Sequence, residues 1–132
     1  MAAGTAWADP IADRKAAMKG VGGAMGKLVA MVRGQADFDA QAALEAFTTM
    51  NNATNGFVDL FPEGTETGGK TTASAKIWED PAGFEAAVDK FAADTAAAIA
   101  AAPADLDAMK AVFGPVAGNC NACHQVYRIA NQ

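Results

Sequence analysis

The sequence predicts an all-α protein, and two features carry this prediction: an alanine-rich composition and apolar positions spaced three and four residues apart. Of the 132 residues, 52% are hydrophobic, and alanine is the commonest of them. Alanine favours helix more than any other residue, whereas sheets favour β-branched and aromatic side chains, which are few here. Four segments carry stripes of helical period, so the chain is expected to form an antiparallel four-helix bundle.

The first helix is predicted to begin at Asp9-Pro10 and to end at Gly34. Aspartate caps the free N–H groups of a first turn, proline suits that turn, and glycine commonly follows a last turn. Glycines between 20 and 26 are poor helix formers, but they would let another group approach the backbone closely. The apolar stripe of this helix reads Ile11, Arg14, Met18, Val21, Met25, Leu28 and Val32.

The second helix is predicted to begin at Asp37 or Asp39 and to continue to Pro62, with Phe57 and Phe61 on its inward face. The sequence EGTETGGKTT then predicts one long loop, because glycine and threonine dominate it. A short apolar anchor, Ile77-Trp78, closes that loop.

The third helix is predicted to begin at Asp80-Pro81 and to be broken by Pro103. The fourth begins near Asp105 and includes Pro115, which is expected to kink it or to cost a backbone hydrogen bond.

The length fits a single domain with one core, spanning residues 9–132. Residues 1–8 are interpreted as an N-terminal tail. Ala6-Trp7-Ala8 has the small-x-small form of a signal-peptidase site, but neither a basic nor a full apolar region precedes it. The tail is therefore either ordinary or the remnant of an export signal.

The charge balance excludes nucleic acid as a partner. The net charge is −5, the sequence pI is about 4.6, and the cations are scattered along the chain, whereas phosphate binding requires clustered Lys and Arg. Any charged partner is accordingly expected to be basic. No run approaches the roughly 20 apolar residues of a membrane span, so none is predicted.

One short stretch, GNCNACHQVYR, holds both cysteines and the only histidine. Cys-x-x-Cys-His is the attachment signature of c-type haem, in which two thiols add to the vinyl groups and the adjacent imidazole binds the iron. Cys120 and Cys123 continue the apolar stripe of the fourth helix, so both thiols are expected to face the bundle interior. The motif predicts Cys120 and Cys123 as thioether residues and His124 as the iron ligand.

Three alternatives fit this motif less well. A thioredoxin-like redox pair is expected at a helix N-terminus after a strand, and a zinc site needs about four ligands. A structural disulfide, or two core cysteines, is the remaining alternative.

The sequence resembles the class II cytochromes c, the cytochrome c′ group, over nearly the whole chain from about Asp9. The matching pieces are RKAAMK, GQADFDA, LFPEGTE, IWEDPAGF and CNACHQVYR. The resemblance implies a left-handed antiparallel four-helix bundle, one covalently bound haem c, residence in a bacterial periplasm and, often, a homodimer.

The family divides on the distal side of the iron, where Met18 falls at the matching position in either branch. The resemblance to the low-spin branch implies that Met18 binds the iron and that the protein carries electrons between redox partner proteins. The alternative is a five-coordinate, high-spin protein that binds nitric oxide or carbon monoxide, with Met18 as distal packing. Met25, one heptad further, is expected to lie too far from the iron.

The resemblance also implies roles at the haem edge. Arg14 and Arg128 match family positions where a guanidinium would pair with a haem propionate, the alternative being a solvated surface cation. Phe61 is expected to line the same pocket. An enzymatic function is not expected, because a peroxidase would need a distal histidine to move protons.

Overall fold

The computed structural model describes residues 9–129, in which four long helices form an antiparallel bundle. The prediction of an all-α four-helix bundle is confirmed; residues 9–129 contain no strand, only one isolated antiparallel bridge between Ala73 and Arg128. The tail at residues 1–8 lies outside the described residues, so its origin stays a prediction. The long helices are α1 (Pro10–Val32), α2 (Ala40–Thr54), α4 (Pro81–Ala101) and α5 (Leu106–Tyr127), with a 3₁₀ helix (Phe57–Leu60) and the short α3 (Lys76–Glu79) between α2 and α4.

Each long helix begins after an aspartate that caps it. The side chain of Asp39 accepts hydrogen bonds from two backbone N–H groups at 2.9 and 3.0 Å, and that of Asp105 accepts one at 2.8 Å. Asp9 and Asp80 do the same for α1 and α4. The predicted starts are confirmed, and of the two candidates for α2 the structure has Asp39.

The predicted end of the second helix was wrong. α2 stops at Thr54 rather than Pro62, because Gly56 adopts a left-handed conformation with φ +70° and turns the chain into the 3₁₀ helix. Asn55-Gly56 is a turn signal that could have placed this end. Phe57 and Phe61 therefore reach the interior from a folded-back segment and not from a continuous helix.

The apolar interior forms two clusters at different levels of the bundle. We call the first the core end; it contains the fully buried side chains of Leu28, Phe47, Met50, Met109 and Val116. We call the second the site end; it contains Phe57, Ile77, Phe84, Val88 and Tyr127, which all keep between 4% and 9% exposure.

The helices do not pack equally against one another. α2 packs against α1 and α4, and α5 packs extensively against α4 but much less against α1. The weaker contact between α1 and α5 leaves a cavity at the site end. Pro115 lies inside an α5 that runs without interruption, and none of the described helices is long and apolar enough to cross a membrane.

Candidate haem site

A cavity of about 610 Å³ opens at the site end, bounded by α1, α4, α5 and the loop that precedes α3. Its volume lies within the range of about 300–1,000 Å³ that is typical of ligand pockets. The sequence-predicted residues meet here, since Arg14, Met18, Phe61, Cys120, Cys123, His124 and Arg128 all line it.

The two cysteines enter the cavity from α5, as their place on the apolar stripe predicted. Both are half-buried, free thiols. Burial raises the pKa of the Cys120 thiol, and burial together with the neighbouring Cys120 raises the pKa of Cys123. A redox-active dithiol shows the opposite change, because its thiolate is stabilised. The environment of these thiols therefore argues against a thioredoxin-like pair.

His124 lies beside the cysteines on the same wall. Burial, and secondarily the positive charge of Arg128, lowers the pKa of its imidazole. A neutral imidazole is the form that binds a metal ion. The lowered pKa favours that neutral form.

The wall contributed by α1 has an apolar part, next to cationic residues of the same helix that also line the cavity. Met18, Val21 and Met25 line it, with Gly22 between them. A Cβ built at Gly22 would meet no atom within 4 Å, so the backbone is open to the cavity at that point. Met18 and Met25 are both half-buried. The expectation that glycines of this helix leave room for a close approach is consistent with this position.

Arg14 holds the loop against α1. Its guanidinium donates hydrogen bonds to the carbonyl oxygens of Leu60 and Thr65 at 3.0 and 2.7 Å, and to the hydroxyls of Thr65 and Thr71 at 3.0 and 2.9 Å. It also lies over the ring of Phe61 at 4.5 Å. Arg14 is only 4% exposed, and burial lowers the pKa of its guanidinium. The surface-cation alternative for Arg14 is therefore wrong.

Phe61 and Arg128 occupy different parts of the site. Phe61 stacks edge-to-face against Phe84 and Trp78, and its carbonyl accepts a hydrogen bond from the Trp78 indole at 2.9 Å. Arg128 is exposed at the mouth, where its Nε donates to the hydroxyl of Thr72 at 3.2 Å. The role of Trp78 in fixing Phe61 was not evident from sequence, because the two residues are far apart along the chain.

The Gly- and Thr-rich loop packs closely on α1. A Cβ at Gly69 would lie 2.8 Å from Cγ2 of Ile11, so only glycine fits there, and its φ of +54° also favours glycine. The carbonyl of Gly69 accepts a hydrogen bond from Lys15 Nζ at 3.0 Å. This contact brings Lys70 to the cavity beside α1.

The cavity fits a flat, largely apolar group held by two thiols and an imidazole. Among residues 9–129 no three His, Cys, Asp or Glu side chains converge to hold a metal ion by themselves. A porphyrin removes that requirement, because it brings four ligands to its iron and leaves the protein to supply one or two. The residues present therefore suit haem better than a bare metal ion.

The chain is similar to known cytochromes along nearly its whole described length. Residues 9–128 match the family model described as Cytochrome C′. The chain is 38% identical over 122 residues to cytochrome c-556 of Agrobacterium tumefaciens (strain II Chrys), covering 92% of this chain and 98% of that protein. The structure of cytochrome c′ from Rhodopseudomonas palustris superposes with a TM-score of 0.91 at 36% identity, covering 96% and 100% of the two chains. The nitric oxide complex of a mutant cytochrome c prime from Alcaligenes xylosoxidans has a TM-score of 0.80 at 31% identity, covering 95% and 100%.

Proposed function

This chain belongs to the cytochrome c′ family, and on that premise we propose that it is a periplasmic haem protein whose distal side binds nitric oxide or carbon monoxide. Its cofactor is one covalently bound haem c. When bound, the haem supplies an iron that takes a diatomic ligand and exchanges one electron. The cavity at the site end is the place that we assign to it.

We assign the covalent attachment to Cys120 and Cys123 and the proximal iron bond to His124. All three side chains line one cavity from one helix. Arg14, Phe61 and Arg128 complete the surroundings. The guanidinium of Arg128 lies where it can pair with a propionate carboxylate, and Phe61 packs against the apolar body. Arg14 lines the same cavity, but its Nη1 and Nη2 groups already donate four hydrogen bonds to the loop, so its part is to hold that loop in place.

The apolar wall of α1 is the observation that carries the gas-binding proposal. Met18, Val21, Gly22 and Met25 present no hydrogen-bonding side chain to the cavity other than weakly accepting thioethers. Such a wall excludes water and charged ligands while it admits a small uncharged molecule. A relative of this fold has been solved with nitric oxide bound, which supports the same use here.

A second candidate is electron transfer with Met18 as the sixth ligand. Met18 lies half-buried on the cavity wall, so its thioether is available inside the site. Because the chain has a single histidine, a second imidazole cannot take that position. A thioether ligand would raise the reduction potential relative to an open site.

An absorption spectrum of the ferric and ferrous protein separates the two candidates. The gas-binding proposal predicts high-spin iron that binds carbon monoxide quickly and completely. Replacing Met18→Ala should then leave the spin state unchanged. If the second candidate is correct, the wild type is low-spin, and Met18→Ala converts it to high-spin and lowers the potential.

Met25→Ala is the matched control, because it removes the same side chain from the same cavity wall. We expect it to cost about 2–5 kcal/mol of stability with little spectral change. A wild-type protein that is low-spin in both states and takes up carbon monoxide only slowly would contradict the gas-binding proposal.

A further inference from the structure

The mouth of the cavity is positively charged although the protein is negatively charged. Five of the ten Lys and Arg residues line the cavity, and none of the 15 Asp and Glu residues does. The cations that appeared scattered along the sequence are gathered here by α1, the loop and the end of α5. We call the four exposed ones the basic rim: Lys15, Lys19, Lys70 and Arg128.

The basic rim is not neutralised by neighbouring carboxylates. Within residues 9–129 the one ion pair joins Lys90 to Asp94, neither of which lines the cavity. Lys15 donates to the carbonyl of Gly69, and Arg128 donates to a threonine hydroxyl. These acceptors are neutral, so the positive charge of the donors persists at the surface.

The haem itself accounts for only part of this charge. A haem c keeps two propionate carboxylates, whereas five cationic side chains line the cavity. Because the Nη1 and Nη2 groups of Arg14 already bind the loop, two rim cations would pair with the two carboxylates. About two positive charges of the rim therefore remain to face outward.

The backbone holds one rim residue in an unfavourable conformation. Lys70 has a φ of +58°, following Gly68 and Gly69 at +99° and +54°. A left-handed conformation at a residue with a side chain costs about 1–3 kcal/mol and tends to be retained where it serves a function. Here a third glycine would have removed the cost, but it would also have removed a cation from the mouth.

We propose that the basic rim is the docking surface for an acidic, one-electron redox protein. The rim cations come from three separate segments and are exposed, so they match an extended acidic surface better than a single small anion. Docking there would bring the partner next to the cavity, so that one electron could pass from the reduced partner to the ferric iron of the bound haem. The proposal rests on the placement of haem in this cavity but not on the identity of the sixth ligand.

The sign of a salt effect tests this proposal. A reduced plant-type [2Fe–2S] ferredoxin, which is acidic, serves as the electron donor, and stopped-flow absorbance follows reduction of the ferric haem. Two net-negative proteins should react faster as salt is added if net charge controls their encounter. Docking on the rim predicts the reverse: the second-order rate constant falls about tenfold as ionic strength rises from about 0.05 to 0.5 M.

Charge-reversal variants locate the effect on the surface. Lys19→Glu with Lys70→Glu should lower the rate constant about tenfold or more at low salt and abolish its decrease with salt. Lys27→Glu with Lys110→Glu makes the same change in net charge at exposed positions of α1 and α5 outside the cavity. This control should stay within about threefold of the wild type and keep its salt dependence.

Separate readouts distinguish this proposal from the proposed function. Lumiflavin semiquinone, a small uncharged reductant, should reduce all variants at one rate, and carbon monoxide binding should be equal in all of them. The docking surface would be overturned if the double variant in the rim and the double control variant changed the rate of reduction by ferredoxin equally. It would also be overturned if the rate constant of the wild type rose with added salt. Rim-dependent binding to phosphatidylglycerol vesicles, with no rim-dependent reduction, would overturn it in favour of a membrane surface.

Discussion

The two ends of the bundle differ in how completely protein atoms fill them. At the core end, Phe47, Leu28 and Met109 are fully buried among side chains from all four long helices. At the site end, Phe57 and Tyr127 keep 9% of their surface exposed toward a cavity of about 610 Å³. The first region resembles an ordinary close-packed interior, and the second does not.

This difference shows that the site end is built around a surface that the chain does not supply. Its aromatic side chains contact one another around Phe84, which packs edge-to-face against Phe61 and Tyr127 and lies tilted against Phe57. A haem in the cavity would cover the exposed part of this cluster. The core end should therefore be insensitive to haem, whereas the site end should depend on it for stability.

The largest expected effect is the loss of the cofactor. Replacing both Cys120→Ala and Cys123→Ala should abolish covalent haem, because no other thiol exists in the chain. A denaturing gel stained for haem peroxidase activity measures this. Hydrogen exchange should at the same time accelerate at the site end of α4 and change little at the core end.

Asn121→Ala is the matched control, since Asn121 is exposed and lies between the two cysteines. It should keep haem at the wild-type level. Haem that stays on the chain after both cysteines are replaced would contradict the attachment, and uniform loss of exchange protection would contradict the difference between the two ends.

The next prediction compares one variant that should lose mainly stability with another that should change mainly the absorption spectrum of the haem. Phe47→Ala should lower the free energy of unfolding by about 3–5 kcal/mol, because it empties a fully buried position of the core end. The Soret band should keep its position. Phe84→Ala should cost less stability and should shift that band, because Phe84 lines the cavity. Urea unfolding measures the stability of both variants, and absorbance measures the position of the Soret band. A shift of that band in Phe47→Ala but not in Phe84→Ala would contradict the placement of the haem at the site end.

Arg14→Lys tests how the loop is held at the site end. Lysine cannot reproduce four hydrogen bonds to Leu60, Thr65 and Thr71 or the planar contact with Phe61. We expect a loss of about 2–3 kcal/mol in urea unfolding and faster proteolysis of residues 62–72. Arg33→Lys, at an exposed position after α1, should change stability by less than about 0.5 kcal/mol. Equal behaviour of the two variants would show that Arg14 does not anchor the loop.

The features predicted from sequence are those that depend on local rules. The helix starts at Asp9, Asp39, Asp80 and Asp105 follow from capping, and the inward direction of Cys120 and Cys123 follows from helical period. The end of α2 obeys an equally local rule. It was missed because the apolar stripe through Phe57 and Phe61 outweighed the turn signal at Asn55-Gly56.

The features that sequence did not predict depend on long-range contacts. Lys15 and Lys19 lie far from Lys70 and Arg128 along the chain, and only the folded loop and α5 bring them to one cavity mouth. The expectation that a charged partner would be basic came from net charge alone. The cations around the cavity favour an acidic partner at that surface instead, because a docking partner responds to the local charge of the surface that it contacts and not to the net charge of the whole protein.

The smallest expected effect concerns a polar contact beside the thiols. Asp94 accepts hydrogen bonds from Lys90 Nζ at 2.6 Å and from Asn119 Nδ2 at 2.8 Å, and Asn119 immediately precedes Cys120. These hydrogen bonds, from Lys90 and then Asn119, lower the pKa of the Asp94 carboxyl. The ionised Asp94 carboxylate therefore stabilises the folded state fully above the unfolded-state pKa of about 3.9. This stabilisation is lost as the pH falls through the lower pKa of the folded state.

Asp94→Asn should accordingly cost less than about 1 kcal/mol at pH 7, because the ion pair is partly exposed and asparagine retains a hydrogen-bond acceptor for Asn119. The difference from the wild type should be constant between about pH 5 and 8 and should shrink below about pH 4. Urea unfolding at several pH values measures it. Asp89→Asn on the same helix, at an exposed position, is the control and should show no such pH dependence. A difference that grows as the pH falls would mean that the carboxylate of Asp94 destabilises the site end.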